Sequence, residues 1–252
     1  MNIFWFQRNN NHELIELSEQ LERSGFSGVL LTYSFFNDDQ FVKIANIIDK
    51  NKKLKYIVAI RPYTISAQYL SMIANSFKKI SKDRIIINIV TGWVYDEEKN
   101  IGGIQGDVND LSSNVERSNY LLEYVKNLKN IKGNIPDFYV SVTNQTVFNG
   151  VSGDKVIIPY SRYKEKEFEI IEENTMISIF PIIRKTKEEL SLLKETVVQQ
   201  DVEYFTFEEF ELFLNDLDSK KIDSILIGEY SHMSEEEEII FPFIKNYVDS
   251  KQ

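Results

Sequence analysis

A (β/α)8 barrel is the fold class this chain predicts, and three observations carry the prediction. Its 252 residues are 42% hydrophobic, enough to bury one large core, and a single α/β barrel is an ordinary use of that length. Eight short apolar runs alternate with segments of helical periodicity, which is the pattern of parallel βα units. No Pro-, Gly- or Ser-rich break interrupts them, so one domain over residues 1–252 is expected. A count of strands does not show that the sheet closes, and a doubly wound open sheet fits the same alternation.

Taken in order, Asn2 to Phe6 reads as the first strand. A helix follows from about His12 to Ser24, with Leu14, Leu17 and Leu21 on one face and Gly25 as its stop. Ser27 to Thr32 is a second buried strand, and the polar rim Tyr33–Asp39 leads into a helix aligned on Phe41, Ile44 and Ile48. The clearest unit is Leu54 to Trp93. Tyr56–Ile60 ends at Arg61-Pro62, the next segment repeats Tyr69, Leu70, Ile73, Phe77 and Ile80 at helical spacing, and Ile85–Val90 closes on Thr91-Gly92. Strands apolar on both faces around one amphipathic helix make a parallel βαβ unit, whose sites lie at the carboxyl ends of the strands.

A long loop, Trp93 to Ser113, follows, and loops of this length inside a compact domain are usually functional or mobile. Val115–Lys129 is the next helix, with Tyr120, Leu121, Tyr124, Val125 and Leu128 inward, and Asp137–Thr143 is the fifth strand. Asn144–Gly153 is too short and glycine-rich for a full helix. Asp154–Tyr160 and Met176–Ile183 are strands six and seven, and Asp223–Gly228 is the eighth. Capping boxes at Thr186/Glu189, Thr206/Glu209 and Ser234/Glu237 open three helices near the carboxyl end.

Composition narrows the function classes. Cysteine is absent, which excludes disulfides, thiolate metal sites and a cysteine nucleophile. With two histidines, His12 and His232, a histidine metal centre is not expected. The net charge of −10 disfavours nucleic acid and anionic membrane as partners. No apolar run approaches the ~20 residues of a membrane span, and the amino terminus lacks a basic leader, so a cytoplasmic protein is expected. Gly102, Gly103 and Gly106 form no P-loop, because the lysine and hydroxyl residue of that motif are missing.

The segments FWF near the amino terminus, SGFSGVLL, LKYIVAIRP and IIINIVTG, then KIDSILIGEYSH and IIFPFIK, occur in barrel order. In these the chain resembles the luciferase-like flavin-dependent monooxygenases, most closely the alkanesulfonate monooxygenase branch, in a shortened and divergent form. The resemblance implies a (β/α)8 barrel of the bacterial luciferase type with shortened insertions. It implies reduced FMN (FMNH2) supplied by a flavin reductase, reaction with O2, and oxygen insertion into a small organic substrate. The cofactor carries the oxygen chemistry, and the protein positions the ring and excludes water.

By the same resemblance, Asn88, Thr91 and Gly92 hold the ring, and Ser141, Thr143 and Asn144 lie where the family binds the phosphate. The family's glycine turn there reads Ser141-Val142-Thr143-Asn144, and valine obstructs close approach of backbone amides. Hydroxyls of Ser141, Thr143 or Ser118 are the available compensation. Tyr230 and His232 match an SGYPH-like motif and are the catalytic candidates, as proton donor and as its orienting or shuttling partner. Arg61 at a strand end suits an anion, with a salt-bridged arginine as the competing reading. Phe36 and Phe180 occupy substrate-facing positions held by cysteine and histidine in sulfonate enzymes, so the expected substrate is not a simple alkanesulfonate. The alternative function is a non-catalytic or weakly flavin-binding barrel serving as the partner subunit of a luciferase-like heterodimer; a homodimer is the other expected assembly.

Overall fold

The structure, a computed structural model, describes residues 1–7, 14–33, 38–92, 113–132, 135, 137–151, 153–196, 202–228 and 236–251. The strands are β1 (Asn2–Gln7), β2 (Gly28–Leu31), β3 (Lys55–Ile60), β4 (Ile85–Ile89), β5 (Phe138–Ser141), β6 (Val156–Pro159), β7 (Thr175–Arg184), β8 (Val202–Thr206) and β9 (Ser224–Gly228). The helices are α1 (Leu14–Arg23), α2 (Gln40–Ile47), α3 (Ala67–Ser81), α4 (Asn114–Lys129), α5 (Gln145–Gly150), α6 (Tyr160–Lys164), α7 (Lys187–Thr196), α8 (Phe207–Ser219) and α9 (Glu236–Asp249).

The strand order is β6-β5-β4-β3-β2-β1-β9-β7-β8, and β6 also pairs with β7. Eight strands therefore close into a parallel TIM barrel, and the open-sheet alternative falls. β8 stands outside that ring and corrects the expected count of eight strands. It pairs with the second half of β7, Phe180↔Val202 to Arg184↔Thr206, while Met176–Ile179 pair with β9. VEYFT has no fully buried residue, so it lacks the apolar run that marks the other strands. The expected eighth strand is β9.

By contact density the chain divides into two units, residues 1–30, 50–54 and 158–252, and residues 31–49 and 55–157. In the second, β3 and β4 pair from Tyr56↔Ile85 to Ile60↔Ile89, and β4 is buried throughout because both its faces are covered. α3 turns Leu70 and Ala74 inward, whereas Tyr69 and Ile80 of the predicted apolar repeat are more than half exposed. α4 opens on a capping box of Ser113 and Glu116. The trimmed crossover after β5 is the six-residue α5.

In the first unit, Trp5 meets Phe241 edge-on at 4.9 Å and Phe26 at 6.0 Å, joining β1 to α9. Phe205, Phe210, Phe213 and Phe243 form a second aromatic cluster, with ring centroids 5.3–5.8 Å apart. The Thr186/Glu189 and Thr206/Glu209 boxes form as predicted; Ser234 of the third lies outside the described residues, as does 93–112 of the long loop.

Candidate functional site

Register decides which side chains share a face. Ala59 of β3 lies beside Asn88 of β4, and Asn88 beside Tyr139 of β5. Successive side chains on a strand alternate in direction, so Ala59, Asn88 and Tyr139 share one face. Arg61 and Ser141, each two residues further on, continue that face toward the carboxyl ends. There the Ser141 hydroxyl donates to Asn88 Oδ1 at 3.0 Å. Asn88 is buried, 3% exposed, and its Nδ2 has no hydrogen-bond partner among the described residues.

The rim turns of β3 and β4 are tied to each other. Thr64 folds back on Arg61, its amide and hydroxyl both donating to the Arg61 carbonyl at 3.0 and 2.9 Å. The buried Tyr63 reaches over to donate its hydroxyl to the Thr91 carbonyl at 3.0 Å. Arg61 is itself buried; its guanidinium carbon lies 4.5 Å from the Tyr33 ring centroid, a cation–π geometry. Its side chain runs across Gly92, where a Cβ would stand 2.6 Å from Arg61 Nε. Gly92 also has φ +58°, a left-handed conformation that a side chain disfavours. Both constraints demand glycine at this position.

Arg61, Asn88, Thr91, Gly92 and Ser141 thus gather at the carboxyl ends of β3–β5. Thr143 is exposed beyond them. Asn144 is the amino-terminal cap of α5: its Oδ1 accepts from Val147 N at 3.0 Å and its Nδ2 donates to Ser118 Oγ at 2.9 Å. Ser118, fully buried, donates in turn to the Asn114 carbonyl at 2.7 Å. Its hydroxyl is therefore committed within the protein, which corrects the expectation that it serves a phosphate.

In the other unit, Phe180 packs on the bare backbone of Gly228, where a Cβ would stand 2.2 Å from its ring. Phe6 meets the same ring edge-on at 5.5 Å. Gly228 ends β9, and the registers place Phe6 beside it on a face shared with Phe4, Leu226, Ser178 and Phe180. Phe36, Tyr230 and His232 lie outside the described residues.

The residues that sequence reasoning missed are Tyr33 and Tyr63. Each stands just past the end of a predicted strand, which was the available signal. A cavity of about 870 Å³ also opens between α2 and α3, lined by Phe41, Ile73 and Phe77 among others, but it includes neither Asn88 nor Arg61. It reaches β3, where Ala59 lines it, and the Tyr33 ring beneath Arg61. Burial pushes the Tyr124 phenol far above its ordinary range, reinforced by Tyr120, so Tyr124 is a neutral core residue of α4.

Comparison with known proteins identifies the family. Residues 3–139 match the model of the luciferase-like monooxygenases. The chain belongs to that family. Among solved structures, it is similar to EDTA monooxygenase (EmoA) from Chelativorans sp. BNC1, at 13% identity and TM-score 0.71, covering 100% of this chain and 94% of that one. Long-chain alkane monooxygenase (LadA) matches at 11% identity and TM-score 0.70, covering 100% and 91%. The coenzyme F420 dependent tetrahydromethanopterin reductase from Methanopyrus kandleri matches at 12% identity and TM-score 0.67, covering 100% and 98%. At these identities the likenesses show the fold.

A luciferase-like barrel implies a flavin-type ring, and the residues fit its two ends differently. Such a ring carries carbonyl oxygens and ring nitrogens on its edge, which suit the Asn88 amide and the Arg61 cation beside the small Ala59. The phosphate end does not fit in the same way. Val147 N, an amide of the kind that holds phosphate at helix starts, is already taken by Asn144, and Ser118 is committed.

Proposed function

We propose that this protein is a flavin-dependent monooxygenase of the two-component type, taking reduced FMN from a separate reductase and using O2. The observation that carries the reading is the pairing of Asn88 with Ser141 beside Arg61 and Gly92, at the carboxyl ends of adjacent strands of a luciferase-like barrel. That is where barrel enzymes build their sites. The bound group supplies the oxygen chemistry; the chain's own part is to orient the ring through Asn88, to place a cation near it, and to keep water out. Asn88, Thr91 and Gly92 with Arg61 are the ring-facing set, and Tyr230 and His232 are the proposed proton-handling pair. Thr143 and Asn144 are the residues left nearest a phosphate.

The substrate in this reading is a small organic molecule with an apolar reacting end. Ser178 and Phe180 stand on one face of β7, and Phe180 with Phe6 makes an aromatic wall there, which does not favour a bare sulfonate. Phe36 is proposed as a further substrate-binding residue. Residues 1–252 act as one domain and pair with a second barrel chain, as homodimer or heterodimer. Val42, Tyr69 and Met72, exposed at 56–59% on α2 and α3, support a partner surface there.

A second reading is favoured by one observation: Ser118 and Asn144 satisfy each other, as suits a barrel that has given up phosphate binding and serves as a non-catalytic subunit. Titration with FMN and FMNH2, followed by turnover with a reductase, separates the two. Binding with NAD(P)H-driven O2 uptake supports the enzyme; binding without uptake supports the subunit; absence of binding to either flavin form, alone or with a co-expressed related barrel, removes the monooxygenase and leaves the non-catalytic subunit.

A further inference from the structure

Helices laid on a sheet normally close on each other through their side chains, because protein interiors pack with few voids larger than a water molecule. α2 and α3 leave a gap. The cavity of about 870 Å³ between them is lined entirely from one unit, residues 31–49 and 55–157, and has the size and mostly apolar walls of a small-molecule site. Val58 and Ile60 of β3 line it from the sheet, and Tyr33, Phe41, Tyr69 and Phe77 bring four aromatic rings to its walls. Several of its polar groups are spent on the protein. Gln40 Nε2 donates to the Thr32 carbonyl at 3.2 Å, the Thr64 hydroxyl donates to the Arg61 carbonyl at 2.9 Å, and Asp39 Oδ1 accepts from Val42 N at 3.1 Å. What the walls offer an occupant is carbon and, at the start of α2, negative charge. Asp38 and Asp39 line the cavity, and among the described residues no lysine, arginine or histidine does. The Asp38 side chain is 85% exposed and meets Lys43 at 4.0 Å.

We propose that this cavity binds a small organic cation, a flat apolar body carrying an ammonium-type group. The body is buried among the rings, which favour an aromatic partner edge-on or offset. The cation stays at the mouth, where carboxylates and aromatic faces both attract it. A carboxylate or sulfonate on the same body would meet like charge there. The net charge of −10 adds a general attraction for cations. A second copy of this chain is the poorer occupant: a flat protein face laid over the exposed Val42 and Tyr69 covers the mouth and leaves the void beneath it empty, at a cost that grows with its volume. The site stands apart from the flavin reading, although its inner end stops at Ala59, the neighbour of Asn88.

The test titrates the full chain calorimetrically, without flavin, with phenylbutylamine, phenylbutanol and phenylbutyrate, which share one apolar body and differ in the charge of the head. The amine is expected to bind about threefold more tightly than the alcohol, and about tenfold more tightly than the carboxylate, since attraction gives way to repulsion of similar size. Asp38→Asn removes a charge from an exposed side chain that does not cap α2; it is expected to weaken the amine about twofold and leave the alcohol unchanged. Ala45→Phe, at an exposed position of α2 on the cavity wall, puts a ring into the void and is expected to weaken all three ligands at least about tenfold. Circular dichroism and melting temperature show whether that variant folds, and Ile73→Trp on the facing wall replaces it if it does not. Absence of saturable amine binding, equal affinity for the three heads, or affinities that neither filling variant changes overturns the proposal. Self-association of the chain that Ala45→Phe abolishes, seen by sedimentation together with no amine binding, also overturns it and gives the face to a second copy. The FMN titration decides the flavin reading separately.

Discussion

Phe180 and Gly228 make a pair whose energetics can be worked from the structure. A Cβ on Gly228 would sit 2.2 Å from Phe180 Cε1 and 2.5 Å from Cδ1, against the ~3.5–4.0 Å at which carbon atoms pack without repulsion. Gly228→Ala therefore drives the ring away by more than about 1 Å, and Phe6, edge-on at 5.5 Å, stands beside it. Overpacking of this kind costs about 1–3 kcal/mol, and loss of the Phe6–Phe180 geometry adds roughly 0.5–1.5 kcal/mol. Alanine recovers about 0.5–1 kcal/mol by restricting the unfolded chain. The expected net loss is about 2 kcal/mol, or about 4–8 °C in melting temperature for a domain of this size. Urea denaturation of the wild type, Gly228→Ala, Phe180→Ala and the double variant closes the cycle. Once the ring is gone the alanine has room, so the double variant should be at least ~1 kcal/mol more stable than the sum of the single losses predicts. A neutral Gly228→Ala, or strictly additive losses, refutes the packing argument.

Gly92→Ala meets two obstacles, a positive φ and the Arg61 side chain; it should lose about 1–3 kcal/mol of stability and weaken FMN binding, and an unchanged melting curve would contradict this. Because Ser118 and Asn144 are committed to each other, riboflavin and FMN should bind within about threefold, well under the factor of ten that a single 1.4 kcal/mol contact to phosphate would produce; a hundredfold preference for FMN refutes that. Tyr63→Phe removes the hydroxyl bonded to the Thr91 carbonyl and should cost about 1 kcal/mol in a urea titration. Hydrogen bonds from the Thr206 amide and hydroxyl, with Lys187 nearby, hold the Glu209 carboxyl below its ordinary value of 4.5. A lowered folded pKa stabilises above the unfolded value and is lost as pH falls through the folded one. The melting difference between wild type and Glu209→Gln should therefore be present at neutral pH and vanish in acid below that value; a difference that grows on acidification would refute it.

How much of the site was legible depended on the range of the signal. Arg61, Thr91 and Gly92 stood out because each ends an apolar run, and buried parallel strands leave their polar residues at their ends. Ser141 was equally visible but its direction was not: nothing local distinguishes a hydroxyl facing a phosphate from one facing Asn88. Tyr33 read only as part of a polar rim and Tyr63 carried no signal of its own, until the folded chain laid Arg61 over the first and hooked the second to Thr91. β8 escaped notice because a strand paired on one edge and nowhere fully buried carries no continuous apolar signature.

By itself the sequence determined the alternation of strands and helices, two of the capping boxes and the family, since these rest on local periodicity and on residues a few positions apart. Closure of the barrel depended on β6 meeting β7, which no count of strands contains. The pairs that make the site, Ser141 with Asn88, Arg61 with Gly92 and Phe180 with Gly228, were decided by tertiary structure alone. A shift of one residue in register turns a side chain to the opposite face of its strand, and register is set by the whole sheet.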